Sequence, residues 1–250
     1  TVISQAASTF YFLALYLLKK THITIRFSHL KIRGELLRES LFLGAPVFVQ
    51  LSGMNILVLI INNSLGFYGG DTAISTYGMI HRLLSIIIMP ILGIAQGFQP
   101  IAGYNYGAGR FDRVKSSIYA ALATAFCLSL FGYALMMLLP EICISLFTSD
   151  KSIIASSAKV LRIFALFIPL ASIQITGSNY FQAAGKPKKT FILGISRQFI
   201  ILIPFALILP RFFGVYGIWV SFPISDILST ILTAILLFFE IRKMGRGAVK

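Results

Sequence analysis

The sequence is poor in acidic residues, cysteine and histidine, and these shortages exclude several functions. Its 250 residues include 8 Asp and Glu in total, 2 Cys and 3 His. Cys127 and Cys143 stand singly in or at the end of apolar runs, so they form neither a disulfide framework nor a metal-binding pair. No histidine has metal-ligand spacing, and there is no HExxH motif or Walker loop. The sequence therefore predicts no metal site, no cofactor and no enzyme.

The formal net charge of +14 does not indicate a nucleic-acid partner. Such a partner requires basic side chains gathered on one soluble face, whereas here they fall in short loops. The chain is 57% hydrophobic and 12% charged, well away from the roughly half-apolar, quarter-charged average of soluble domains. Continuous apolar runs of about 20 residues, enough to cross a bilayer core of about 30 Å, recur along its length. We therefore predict an all-α polytopic membrane protein whose partner is the lipid bilayer.

Seven transmembrane helices follow from the apolar runs and their breakers. They cover approximately residues 1–18, 40–66, 72–100, 114–139, 152–184, 188–210 and 214–240. Residues 19–39 mix basic and apolar side chains, which is typical of a connector at the cytoplasmic interface. Five prolines lie within spans and are expected to bend them: Pro46, Pro90, Pro169, Pro204 and Pro223. The absence of an initiator Met leads us to expect a piece of a longer chain.

The distribution of Lys and Arg predicts the orientation in the cell membrane. Alternate loops and the basic tail, residues 241–250, hold sixteen of these residues, and the loops on the opposite side hold only Lys151 and Arg211. Cytoplasmic loops carry the excess of basic residues. The C-terminus is therefore expected in the cytoplasm, and the beginning of the chain outside.

Asp226 is the clearest ionisable residue at membrane depth, where charges are costly and mark functional sites or ion pairs. It lies about 12 residues into the last span, roughly 18 Å from its start. The position is compatible with a proton, cation or substrate site and equally with a structural ion pair. Arg82, also near mid-depth, is the expected partner. Arg197 is instead expected to extend its long side chain to the cytoplasmic interface.

Polar and aromatic stripes on three spans indicate a cavity. The candidate residues are Asn55 and Asn62 on the second span, Tyr77, His81, Ser85 and Gln96 on the third, and Ser172, Thr176, Asn179 and Tyr180 on the fifth. A stripe of this kind either lines a cavity or joins helices by hydrogen bonds, and three stripes beside a carboxylate favour the cavity. In the third span, Gly93 and Gly97 form a GxxxG face that predicts close helix contact.

Several segments, taken in order, resemble the C-terminal lobe of the multidrug and toxic compound extrusion (MATE) family. They are "INNSLGFYGGDTAISTYGMIHRL", "MPILGIAQGFQPIAGYNYGAGRFDRVK", "NYFQAAGKPKKTFILGISRQ" and "LPRFFGVYGIWVSFPISD". The resemblance covers nearly all of residues 36–243 and is strongest to the bacterial branch. It implies two six-helix lobes around a central cavity. Residues 1–18 would be the last helix of the N-terminal lobe, 19–39 the connector and 40–240 the C-terminal lobe.

The resemblance also implies a function. The family exports cationic, amphipathic compounds in exchange for H⁺ or Na⁺, by alternating access of its lobes. The partners expected on this basis are small cationic organic substrates and the missing N-terminal lobe. Asp226 and Arg82 are the candidates for coupling-ion binding or an ion pair. Two alternatives stay open: a lipid-linked precursor flippase of the wider superfamily, which a strongly basic cavity would favour, and an isolated half with a structural or assembly role.

Overall fold

The structure is a computed structural model that describes residues 2–18 and 34–247, and these form helices and turns with no strand among them. The helices are α1 (Val2–Leu17), α2 (Gly34–Gly107), α3 (Phe111–Leu138), α4 (Pro140–Ser145), α5 (Lys151–Ala165), α6 (Ile168–Ala183), α7 (Pro187–Ile195), α8 (Ile203–Ile208), α9 (Pro210–Phe213) and α10 (Val215–Gly247), with a π-helical segment, Ser196–Leu202, between α7 and α8. The predicted all-α polytopic fold is confirmed.

The chain divides into two units, Thr1–Leu43 and Gly44–Lys250. The first contains α1, whose 16 residues reach about 24 Å, short of a bilayer core of about 30 Å. It also contains the first turns of α2. Residues 19–33 of the predicted connector, and the last three of the basic tail, lie outside the described residues. The site and core discussed below belong to the second unit.

Four described helical stretches have the length and hydropathy to cross a membrane, namely Leu51–Gly107, Phe111–Leu138, Pro187–Phe213 and Val215–Met244. The bent pair of α5 and α6 makes a fifth. The first stretch has 57 residues, about 85 Å, which is far too long for one crossing. Gly70 breaks it, because its φ of 65° and ψ of −166° are not helical. We therefore count six spans among the described residues of the second unit, as the sequence predicts.

Two further spans depart from straight helices near prolines. The fifth predicted span consists of α5 and α6, which meet at 44°; Pro169 stands in the first turn of α6, where a missing N–H is tolerated. The sixth runs through α7, the π segment, α8 and α9. These irregular segments place polar backbone and side chains inside the helix bundle, where the candidate site lies.

The core of the second unit has two clusters of apolar side chains. One joins the spans on either side of Gly70 to α5 and α10 through Ile61, Ile80, Leu161 and Trp219. The other lies around Phe98, Ile118, Tyr180 and Phe181, toward the loops that carry most of the basic residues. The predicted close contact at Gly93 and Gly97 is wrong within the described chain, because a Cβ at either position would meet no atom within 4 Å. Gly103 makes such an approach instead, to the Ala183 carbonyl.

Candidate functional site

Asp226 and Arg197 form an ion pair between two membrane spans. Asp226 lies on α10, and Arg197 lies in the π segment. The guanidinium donates from Nε at 3.0 Å and from Nη2 at 2.8 Å to the same carboxylate oxygen, Oδ1. Both side chains are largely buried, with 30% of Arg197 and 18% of Asp226 exposed. Charge-assisted hydrogen bonds of this length hold both groups in a defined position.

The π segment that carries Arg197 ends beside Pro204. Proline has no N–H, and in an α-helix its ring collides with the carbonyl four residues earlier. The turn before Pro204 is widened, since the N–H of Ile203 donates to the carbonyl of Gln198, five residues back. The Ser225 hydroxyl on α10 donates to the carbonyl of Arg197 at 3.0 Å. Single π turns are rare and occur often at functional sites.

The ion pair borders a cavity of about 180 Å³. Its polar lining is His81, Ser85, Gln174, Arg197, Gln198 and Asp226. Three aromatic residues form one wall: the ring centroids of Phe222 lie 5.8 Å from Tyr77 and 4.8 Å from Phe164. The cavity is therefore an apolar, aromatic space with one paired carboxylate and a few hydrogen-bonding groups, the usual composition of a small-molecule site.

The predicted partner of Asp226 is wrong, and so is the predicted interfacial position of Arg197, because these two residues pair with each other. Arg82 and His81 are both exposed, but only His81 borders the cavity. Successive residues of an α-helix are about 100° apart, so the face that brings His81 to the cavity directs Arg82 elsewhere. Arg197 stays at mid-depth because Asp226 compensates its charge there.

Of the predicted site residues, Tyr77, His81, Ser85 and Asp226 are brought together at the cavity. Tyr77 is nearly buried, and its ring centroid lies 5.8 Å from that of His81. The Ser85 hydroxyl donates to the His81 carbonyl at 2.8 Å, one turn back in the same helix. These residues form one face of the span after Gly70, as their spacing predicts.

The other predicted site residues lie elsewhere. Asn55 and Gln96 are exposed, and Asn62 is half-buried. Ser172 and Thr176 are buried, and Tyr180 is fully buried in the second core cluster. Asn179 accepts a hydrogen bond from Gln99. The Ser172 hydroxyl donates to a carbonyl of its own helix at 2.7 Å. These side chains belong to helix packing or to the surface of this unit, and none of them lines the cavity.

Sequence reasoning missed Gln174, Arg197 and Gln198 as cavity residues. Gln198 is buried, and its Oε1 has no hydrogen-bond partner among the described residues. The adjacent pair Arg197–Gln198 interrupts an apolar run six residues before Pro204. Two adjacent polar residues in an apolar run that leads to an intramembrane proline are the signal that could have identified this segment.

A second ionic cluster lies at the end of α10, away from the cavity. Glu240 is 4% exposed and forms ion pairs with the ammonium groups of Lys186 and Lys189. The Lys186 ammonium also lies 4.9 Å from the ring centroid of Tyr106. Burial by itself lowers the pKa of Lys186, but hydrogen bonds to Glu240 and Tyr106 outweigh it and raise that pKa. The ion pairs of this cluster connect the turn before α7 to the last helix.

Comparison with known proteins places this geometry in a family. The MatE family model matches residues 46–208. The chain belongs to the MatE family. It is thus a polytopic membrane protein of this family, as the sequence motifs indicate.

Curated relatives and solved structures agree with this assignment. The multidrug export protein MepA of Staphylococcus aureus (strain NCTC 8325 / PS 47) is 26% identical over 242 residues, which are 97% of this chain and 53% of MepA. A structure of the MATE multidrug transporter DinF-BH is 38% identical, with a TM-score of 0.84 over 95% of this chain and 53% of that one. A MATE structure in the bent conformation shares the fold with a TM-score of 0.90 at 22% identity, over 100% of this chain and 56% of that one.

The chain spans about half the length of the curated relatives it matches, 53% of MepA. The match thus covers about half of such a relative. Within the described residues, no group of three or more His, Cys, Asp or Glu side chains is arranged to hold a metal ion.

Proposed function

We propose that the chain is the C-terminal lobe of a cation-coupled antiporter, driven by H⁺ or Na⁺, that exports cationic amphipathic drugs or metabolites by alternating access. The observation that carries this proposal is the mid-span carboxylate of Asp226 beside an aromatic wall. Only its Oδ1 receives the Arg197 guanidinium. In this proposal the protein uses no cofactor other than the coupling ion and catalyses no covalent chemistry.

The cavity chemistry suits a large organic cation. Tyr77, Phe164 and Phe222 offer ring faces, which attract cations and apolar groups together. A volume of about 180 Å³ is below the roughly 300–1,000 Å³ of typical ligand sites. We infer that the N-terminal lobe supplies the rest of the site in the whole protein, so that substrate is held between the two lobes.

Coupling is proposed to act on the Arg197–Asp226 pair. A proton, a sodium ion or the cationic group of a substrate competes with the guanidinium for the same carboxylate. Each of these cations therefore binds Asp226 more strongly when Arg197 is not paired with it. A ligand that binds one of two conformations more strongly shifts the equilibrium toward that conformation. The pair lies between α10 and the π segment, so its opening changes the contact between two spans.

The cavity does not favour the flippase alternative, which requires a strongly basic lining. The formal charges of Arg197 and Asp226 cancel, and His81 is the one other lining side chain among the described residues that can carry a positive charge. We also propose a multi-pass arrangement in the cell membrane with a cytoplasmic C-terminus, supported by the sixteen-to-two division of Lys and Arg between alternate sides.

Ethidium efflux by cells that express the full-length protein tests the proposed function. We expect faster efflux than in cells without it, and the difference should respond to an imposed H⁺ or Na⁺ gradient. An absence of cationic dye transport under both gradients would end the exporter proposal. Dye binding to the purified 250-residue chain alone, compared with the full-length protein, addresses the assembly-only alternative.

A further inference from the structure

The hydroxyl of Ser225 makes a hydrogen bond between two spans, next to the ion pair. It donates across two spans to the carbonyl of Arg197, at 3.0 Å. The neighbouring serines on α10 differ: Ser221 donates to Ile218 and Ser229 to Asp226, each within its own helix. Ser225 is 1% exposed, so this hydrogen bond is made away from water.

The Arg197 carbonyl lies inside the π segment and accepts a hydrogen bond from another helix. In an α-helix, this carbonyl would receive the N–H of Ile201, four residues later. The wider turn ahead of Pro204 follows the i→i+5 pattern, as the Ile203 to Gln198 bond shows. That pattern pairs the carbonyl with the N–H of Leu202 and leaves its second lone pair for the Ser225 hydroxyl. The Ser225 hydroxyl therefore adds a buried hydrogen bond that joins the π turn to α10.

The π turn also sets where the Arg197 side chain points. Arg197 and Leu202 both line the cavity although they are five residues apart. In an α-helix their directions would differ by about 140°. The i→i+5 pattern brings residues five apart onto one face. Without it, the helix face that presents Leu202 to the cavity would not also present the guanidinium to Asp226.

We propose that Ser225 is a positioning residue: its hydroxyl stabilises the π turn made by Pro204, and the turn holds the Arg197 guanidinium on Asp226. The functional consequence rests on the proposed role of Asp226 in binding substrate or coupling ion. Loss of the hydroxyl removes the hydrogen bond that fixes the turn against α10, so the guanidinium moves away from the carboxylate.

The test uses the full-length protein with Ser225→Ala and a matched control, Ser221→Ala, which removes an equally buried hydroxyl four residues earlier on the same helix. We expect ethidium efflux to fall about fivefold in Ser225→Ala, the effect of one net hydrogen bond, and to stay near wild type in Ser221→Ala. The two variants should have similar thermal midpoints, because each loses one hydroxyl. Equal efflux in the two variants would overturn the proposal.

Crystal structures of the wild-type and Ser225→Ala proteins give a readout independent of transport. We expect the variant to have Arg197 beyond ion-pair distance, more than about 4 Å, from Asp226. Pro204→Ala, which restores the missing N–H, should lose the π turn and produce the same displacement, and it covers the case in which Ser225→Ala does not fold. A retained ion pair in either variant would contradict the proposal. Displacement in a protein that exports no dye would contradict only the exporter function.

Discussion

Replacing Asp226 by asparagine is expected to abolish ethidium efflux by the full-length protein and also to lower its stability. The amide cannot bind a proton or attract a cation as the carboxylate does, so both coupling and substrate attraction are lost. The Arg197 guanidinium also loses its partner at mid-depth in the membrane. A surface ion pair contributes up to about 1 kcal/mol, and breaking a buried one costs roughly 3–5 kcal/mol. For this partly exposed pair, we expect a loss of about 2 kcal/mol in unfolding free energy.

The double variant Arg197→Gln with Asp226→Asn separates the two effects. It removes both charges and keeps side chains of similar size, so it leaves no unpaired charge in the membrane. We expect its thermal midpoint to return toward wild type while efflux stays absent. Recovery of efflux in the double variant, or normal efflux by Asp226→Asn alone, would mean that the pair is structural. Efflux is measured in cells, and the midpoint on detergent-purified protein.

The importance of Asp226 could be predicted from the sequence because depth alone makes a carboxylate costly. Its partner could not. By depth in the membrane alone, Arg82 and Arg197 are equally good partners for Asp226. The direction of each side chain decides which of them forms the ion pair. The helical period that places His81 at the cavity directs Arg82 elsewhere. Arg197 is turned toward Asp226 by a π turn, whose register a 3.6-residue period does not describe.

The sequence also does not show which of the polar stripes faces the cavity. The stripe from Tyr77 to Ser85 faces the cavity, whereas Thr176 and Tyr180 on the fifth span are buried in helix contacts. A span inside a bundle has several faces that meet protein, and polarity alone does not say which face meets a cavity. The break between the second and third spans was easier to predict, because it depends on the local sequence around Gly70.

Removing both lysines of the second ionic cluster is expected to destabilise the full-length protein more than removing its glutamate. Glu240 is 4% exposed, while Lys186 and Lys189 are 24% and 36% exposed. Without their partner, the long lysine side chains can turn toward water, but the carboxylate of Glu240 cannot. The variant Lys186→Ala with Lys189→Ala therefore leaves a buried, unpaired charge, which costs roughly 3–5 kcal/mol.

This asymmetry can be measured as thermal midpoints of purified protein at neutral pH. A loss of that size should lower the midpoint by roughly 10 °C, and Glu240→Gln should lower it by clearly less. Lys188→Ala, an exposed lysine of the same segment, is the control and should have little effect. The raised pKa of Lys186 means that its stabilisation is complete below its unfolded-state pKa, about 10.4, and is lost only as pH rises through the folded value. The lysine therefore stays charged in this measurement. An equal or larger loss in Glu240→Gln would show that the lysines, rather than the carboxylate, depend on the pairing, and would refute the argument from burial.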